Sequence, residues 1–203
     1  MFRIPKHIGI IPDGNRRWAK KSGLKKEEGY AFGLEPGLEL LRAAKQYGVR
    51  ELTYYGFTVD NCKRPREQLK AFSRACVEAV KLMESEDVRP YVLGNTKSSC
   101  FPKELIPYTH RSRRPDDNKQ LKVNLLVNYG WEWDLKNGWI TRDIPRIDMV
   151  IRWGGMCRLS GFLPIQTVYA DFYIVKDLWP DFHEQQFLNA LSWYQKQDVT
   201  LGG

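Results

Sequence analysis

The chain contains no run near the ~20 consecutive apolar residues that a membrane-spanning helix requires. Its first residues, Met1-Phe2-Arg3-Ile4-Pro5-Lys6-His7, lack the apolar centre of a secretory leader. A soluble, cytoplasmic protein is therefore expected, with room for peripheral membrane contact only. Cysteine and histidine are scarce. Cys62, Cys76, Cys100 and Cys157 stand far apart, and His7, His110 and His183 are scattered. No CxxC pair or paired histidine spacing marks a zinc site or a disulfide framework, and reduced, structural or incidental thiols are expected. There is no internal repeat and no compositional break, which predicts one domain over residues 1–203. Hydrophobic residues make up 42% of the chain, too many for disorder and enough for a sizeable core. Acidic residues are outnumbered, 24 against 32 Lys and Arg, giving a net charge of +8. That excess suits an anionic ligand, but also nucleic acid or an acidic membrane surface, so charge alone decides nothing.

Short apolar runs alternate with helical ones. Ile8–Ile11, Leu52–Phe57, Arg89–Leu93, Leu121–Val127, Ile147–Ile151 and Asp171–Val175 read as strands. Tyr30–Tyr47 carries Leu34, Leu38, Leu41 and Ala44 at helical spacing and is stopped by Gly48. Pro65–Met83 places Leu69, Phe72, Cys76, Ala79 and Met83 on one stripe, read as core. Pro102–Ile106 predicts a short helix and His183–Gln197 a closing one. His110–Lys119, basic and proline-containing, reads as a mobile, solvated connection. The alternation predicts an α/β fold with a central, largely parallel sheet flanked by helices.

In such sheets ligands bind beyond the carboxyl ends of the strands. Three of those ends are polar and basic. The first is Pro12-Asp13-Gly14-Asn15-Arg16-Arg17-Trp18-Ala19-Lys20-Lys21: a tight turn with one carboxylate, then a helix start with four cations. Backbone N–H groups at a helix start favour an anion, Arg offers paired donors to phosphate oxygens, and one carboxylate suffices for a Mg²⁺ that takes other ligands from phosphates. Asp13 alone reads equally well as the N-cap of that helix. The second end is Thr58-Val59-Asp60-Asn61-Cys62-Lys63-Arg64-Pro65. The third is Arg152-Trp153-Gly154-Gly155-Met156-Cys157-Arg158-Leu159-Ser160, where two glycines permit close backbone approach and two arginines and a hydroxyl suit a second diphosphate. The basic residues gather at strand ends rather than along one face, and no nucleic-acid-binding motif is present, so a nucleic-acid partner is not expected.

These stretches resemble the cis-prenyltransferase family of the undecaprenyl diphosphate synthase type. The resemblance runs through His7–Asn15, Phe57–Pro65, Asn128-Tyr129-Gly130, Ile151–Ser160 and Leu178-Trp179-Pro180-Asp181-Phe182. It implies a homodimeric α/β enzyme that joins an allylic prenyl diphosphate to a second, five-carbon diphosphate, with the allylic tail in an apolar tunnel. It also implies that Asp13 holds Mg²⁺ and diphosphate and acts with Arg17 and Asn61 in catalysis. Gly14, Asn15, Arg16, Trp18, Lys26, Tyr30, Thr58 and Arg64 would surround the allylic substrate, and Arg152, Arg158 and Ser160 the second one. Asp171 stands where the family has a Glu that reaches the metal, often across the dimer.

The departures bear on the product. Lys26 replaces an Arg, Tyr30 a His, Thr58 a Ser, Asp60-Asn61-Cys62 a Glu-Asn-Trp and Arg152-Trp153 an Arg-Thr. Pro164 interrupts an apolar stretch, and the segment between Trp133 and Asp148 is short. Arg16-Arg17, Gly29-Tyr30 and Phe162-Leu163-Pro164 resemble the lavandulyl and cyclolavandulyl diphosphate synthase branch, which joins two dimethylallyl diphosphates in a non-head-to-tail manner. Asn15, Asn61 and Arg64-Pro65 resemble the head-to-tail members. The resemblance thus implies a short product, made with isopentenyl or dimethylallyl diphosphate as acceptor. The alternative is a non-catalytic partner subunit of a heteromeric prenyltransferase, a role that loses the first-motif aspartate which this chain retains.

Overall fold

A computed structural model describes residues 3–110 and 120–198. The expected connection around residues 111–119 lies outside them. Six strands form one sheet in the order β3-β4-β2-β1-β5-β6, with every neighbouring pair parallel. They are β1 (His7–Ile11), β2 (Glu51–Thr58), β3 (Pro90–Leu93), β4 (Lys122–Tyr129), β5 (Met149–Arg152) and β6 (Asp171–Ile174). The helices are α1 (Asn15–Lys21), α2 (Leu34–Gln46), α3 (Arg66–Ser85), α4 (Trp131–Lys136) and α5 (Glu184–Tyr194).

The central strands are buried on both faces, as parallel sheets require, which is why they read as continuous apolar runs. Alternation divides the core. Ile8 and Ile10 of β1, with Leu52, Tyr54, Leu125 and Ile151, pack beneath Leu40 and Leu41 of α2, Val80 and Met83 of α3 and Phe187 of α5. Ile11, Tyr55, Leu126 and Val150 face the other way and are covered mainly by Ile144, Ile147, Phe162 and Leu163, from irregular segments rather than long helices. An irregularity between Tyr55 and Thr58 shifts the register of β2 against β4. Such bulges re-aim the strand that follows, and here the segment leads into a 3₁₀ turn, Val59–Lys63.

The single helix expected over Tyr30–Tyr47 is two elements. A 3₁₀ turn, Glu28–Gly33, precedes α2. Pro36 is tolerated because it lies in the first turn of α2, where its missing N–H costs no intrahelical bond. The sequence pattern did not register α4, whose six residues are too few to show a helical period.

At the amino ends of the strands a polar chain is sealed in. Nε2 of the buried His7 lies 2.8 Å from Thr53 Oγ1, while Asn124 Nδ2 donates to Thr53 Oγ1 at 3.0 Å and to Glu51 Oε1 at 2.7 Å. Burial holds the His7 imidazole below its ordinary 6.5, so it stays neutral in the folded chain. The unfolded chain takes up a proton there that the folded chain refuses. Stability from this site is therefore intact above pH 6.5 and declines as pH falls through it. Urea unfolding at successive pH values will show that decline, and His7→Gln will flatten it. An unchanged slope in the variant would refute the assignment.

Candidate active site

β2, β1 and β5 are neighbours in the sheet, so the three basic strand ends lie side by side. Ile11, the last residue of β1, is in register with Arg152, the last of β5. The turn after Ile11 brings Asp13 back over that position. Arg152, only 4% exposed, donates from Nη2 to Asp13 Oδ2 at 2.8 Å. Its Nη1 donates to Ser160 Oγ at 3.0 Å and to the Arg158 carbonyl. One guanidinium thus ties the first strand end to the third. Arg17, one turn along α1 from Asp13, approaches the same carboxylate oxygen at 3.4 Å.

Asp13 is not the helix cap. The N-cap is Gly14, left-handed at φ 118°, and no side chain caps α1. The Asp13 carboxylate instead stands at the cavity wall, about one-third exposed. Among the described residues its Oδ1 accepts no hydrogen bond while Oδ2 faces two guanidinium groups. Gly154, at φ 85°, permits this arrangement. A Cβ there would overlap the Arg17 guanidinium and press on the Asp13 carbonyl.

A cavity of about 610 Å³ opens over these strand ends. Its wall carries seven cationic side chains, Arg16, Arg17, Lys20, Lys26, Arg64, Arg152 and Arg158, against the two carboxylates Asp13 and Asp60. So large an excess of positive charge in one concavity favours polyanions and focuses their approach. Gly14, Asn15, Tyr30, Thr58, Asn61 and Ser160 also line it. Thr58 and Asn61 brace each other: the Asn61 backbone N–H donates to Thr58 Oγ1, and the Thr58 N–H donates to Asn61 Oδ1 at 3.1 Å. With Oδ1 committed, the Asn61 amide NH₂ is its free group among the described residues. Arg64 donates from Nη1 to the Tyr30 hydroxyl at 3.1 Å. Burial raises the Tyr30 hydroxyl above its ordinary range and lowers Arg64 from its own, with each opposed by the other.

Beside this cavity lies a narrower apolar one of about 90 Å³, between α2, α3 and the sheet. Phe72, Cys76, Ala79 and Met83, expected to be core, line it. That α3 stripe is part of the core, with Cys76 and Met83 buried, and also forms a cavity wall.

Two expected site residues are not brought to the cavity. Trp18 Nε1 donates to Asp181 Oδ1 at 2.6 Å and its ring packs on Phe32, so it braces α1 against the turn at Trp179–Asp181. Asp171 opens β6 in register with Met149, whereas Arg152 pairs with Ile174. Parallel pairing therefore puts Asp171 at the amino end of the sheet, three residues short of the site level. The chain alone does not unite it with Asp13, and no group of three or more potential metal ligands occurs among the described residues. Trp153 is equally remote. Adjacent strand residues face opposite ways, and its buried ring packs on Trp179 and Phe182 and donates to Gln186 Oε1. Cys62 turns inward, donating to Asn128 Oδ1 at 3.2 Å, and burial raises its thiol above the ordinary range. Sequence reasoning passed over Lys20, Tyr55 and Met156 as cavity residues. Lys20 was findable: it follows Arg16 by four residues, one helical turn.

A prenyltransferase family model, "Putative undecaprenyl diphosphate synthase", matches residues 11–139 and 135–202. The chain belongs to this family. It is 33% identical to a ditrans,polycis-undecaprenyl-diphosphate synthase, (2E,6E)-farnesyl-diphosphate specific, of Pectobacterium atrosepticum, over 98% of this chain and 90% of that protein. It is 30% identical to an isoprenyl transferase of Thermotoga maritima over all of this chain and 98% of that one. That alignment spans 230 positions against 203 residues here, so the chain carries internal deletions. Among solved structures, lavandulyl diphosphate synthase from Lavandula x intermedia, in complex with dimethylallyl diphosphate, superposes with a TM-score of 0.81 at 25% identity. The match covers 98% of this chain and 99% of that one. The protein is thus a cis-prenyltransferase enzyme with the fold expected from its sequence, a single sheet-centred α/β architecture.

Proposed function

We propose that this cis-prenyltransferase joins a short allylic diphosphate to a five-carbon diphosphate, isopentenyl or dimethylallyl, and releases diphosphate and a short prenyl product. The observation that carries the reading is the Arg152 bridge, which fuses the Asp13 turn and the Arg158–Ser160 loop into one cationic cavity beside an apolar one. Such a site suits two diphosphate heads and one hydrocarbon tail. The bond from allylic C1 to its diphosphate oxygen breaks, and the electron pair leaves with the diphosphate. The acceptor's double bond attacks C1, and a proton leaves the acceptor to restore an alkene. Arg16, Arg17 and Lys26 would hold the leaving group, with the Asn61 amide as a further donor. Arg158 and Ser160 would hold the acceptor. Fixed cations at the place where charge develops lower the barrier, and confinement of both substrates supplies much of the rest.

The donor set fits Mg²⁺: a hard, partly exposed carboxylate with one oxygen uncommitted, next to the proposed diphosphate positions. When bound to Asp13 and phosphate oxygens, that ion would offset the leaving group's charge. The short connection from Asn137 to Asp148, which holds no helix, supports a short product.

A homodimer is part of the proposal. Among the described residues, most exposed large apolar side chains, including Trp131, Leu135, Ile140, Ile165, Val168 and Tyr169, lie in the stretch 131–169, with Phe32 and Ile106 elsewhere. Within it, Gln166 Nε2 donates to the Thr141 carbonyl at 2.9 Å, tying its two halves together. Apolar exposure so concentrated marks an interaction surface. No described helix is long and apolar enough to cross a membrane.

The test is incubation of the purified chain with Mg²⁺, labelled isopentenyl or dimethylallyl diphosphate, and allylic diphosphates of increasing length, with products read by mass spectrometry. Short prenyl products are expected. The absence of product from every combination would reject the reading.

A further inference from the structure

The polar and apolar cavities share five wall residues: Pro12, Asn15, Tyr30, Gly56 and Phe72. These form the neck through which any tail must pass from the diphosphate site inward. Two of the five are aromatic, and they are stacked on each other. The Tyr30 and Phe72 rings lie 4.5 Å apart at 5°. Arg64 closes the stack from the diphosphate side: its Nη1 donates to the Tyr30 hydroxyl, and its guanidinium lies 5.5 Å from the Phe72 ring centre. Phe57 braces Phe72 edge-on at 5.1 Å. The neck is therefore a held structure rather than a pair of loose side chains. Beyond it the α3 side of the wall carries the small or flexible residues Ala75, Cys76, Ala79 and Met83, and bulkier residues, among them Tyr54 and Trp179, line the rest.

We propose that the Tyr30–Phe72 stack, pinned by Arg64, is the specificity-determining element that limits the length of the allylic tail. The inference rests on the prenyl-transfer reading. Behind the stack the apolar cavity continues between α2, α3 and the sheet. A dimethylallyl tail would end at the stack, whereas a farnesyl chain would have to pass it. Steric selection of this kind, where a bulky side chain occupies the space of extra methylenes, discriminates by ~10- to 200-fold per group excluded. Because Arg64 belongs to both the diphosphate cavity and the stack, occupancy of the head site and the position of the gate are coupled.

The experiment compares kcat/KM for dimethylallyl, geranyl and farnesyl diphosphate in the unmodified chain and in Phe72→Ala, Phe72→Leu and Tyr30→Phe. Phe72→Ala should raise the farnesyl-to-dimethylallyl ratio of kcat/KM by at least ~10-fold and lengthen the product, with Phe72→Leu following in the same direction. Tyr30→Phe, which keeps the ring and removes the Arg64 hydrogen bond, should produce a smaller rise. A folded Phe72 variant whose ratio is unchanged would overturn the proposal. If Phe72→Ala does not fold, Phe72→Leu decides. If the unmodified chain forms no product at all, the function reading fails, and the gate is judged by calorimetry with unreactive alkyl diphosphates. Affinity falling with tail length in the unmodified chain and levelling in the Phe72 variant upholds it. Parallel length dependence in both overturns it.

Discussion

Asp13→Ala is expected to lose at least ~100-fold in kcat, the scale of removing one group that stabilises developing charge. The carboxylate meets both requirements of that role at once. Oδ2 collects Arg152 at 2.8 Å and Arg17 at 3.4 Å, which fixes its position, and Oδ1 is left for a cation. Asp13→Asn separates the two contributions. It preserves size and lets the carboxamide oxygen accept one guanidinium bond, but it removes the charge on which a metal depends. The loss should therefore be nearly as large with Asn as with Ala. Stability should fall by about 1–3 kcal/mol, because the buried Arg152 loses its anionic partner; the lower end is expected since Asp13 is itself partly exposed. Steady-state kinetics against Mg²⁺ concentration, with urea unfolding of the same samples, separates the two effects. Near-normal turnover in either variant would refute the assigned role.

Arg152→Ala should cost at least as much activity, and it should fall chiefly on the acceptor. The guanidinium contacts Asp13, Ser160 and the Arg158 carbonyl in three directions, so its loss releases the third loop from the first turn. A rise in the acceptor's KM together with a drop in kcat is expected. Arg152→Lys should recover little. An ammonium is a point charge on a flexible stem and cannot span carboxylate, hydroxyl and carbonyl with one rigid fork. If Lys restored activity fully, charge alone would be the requirement, and the bridging account would be wrong.

Much of this site was legible in the sequence because strand ends announce themselves. Ile8–Ile11 and the apolar run ending at Ile151 are bounded by turn residues and followed by cations, and a parallel sheet places such ends on one edge. The composition of the three loops therefore located the cavity. What composition does not encode is direction. Trp153 reads as a site substitution beside Arg152, yet the pleat sends it into the core against Trp179. Trp18 sits among site residues in the sequence but occupies the other side of α1, bound to Asp181. Asp171, expected to reach the metal across a dimer, lies away from Asp13 within the one chain. The level of a residue along β6 follows from its register with β5, which only the hydrogen-bonded ladder reveals. The α3 stripe shows a further limit. Periodicity marks the face of a helix that avoids water, and Cys76 and Met83 are indeed buried in the core; it does not show that the same stripe also lines a cavity.

Prenyl transfer as proposed requires two diphosphate heads to share the Asp13–Arg152 junction. Crystals grown with Mg²⁺, isopentenyl diphosphate and an unreactive sulfur analogue of dimethylallyl diphosphate put that to the most direct test. The account predicts one diphosphate against Asp13, Arg16 and Arg17, the other against Arg158 and Ser160, and the allylic tail at the Tyr30–Phe72 neck. Diphosphates bound elsewhere, or an Asp13 carboxylate turned from the ligand with Arg158 in open solvent, would contradict it.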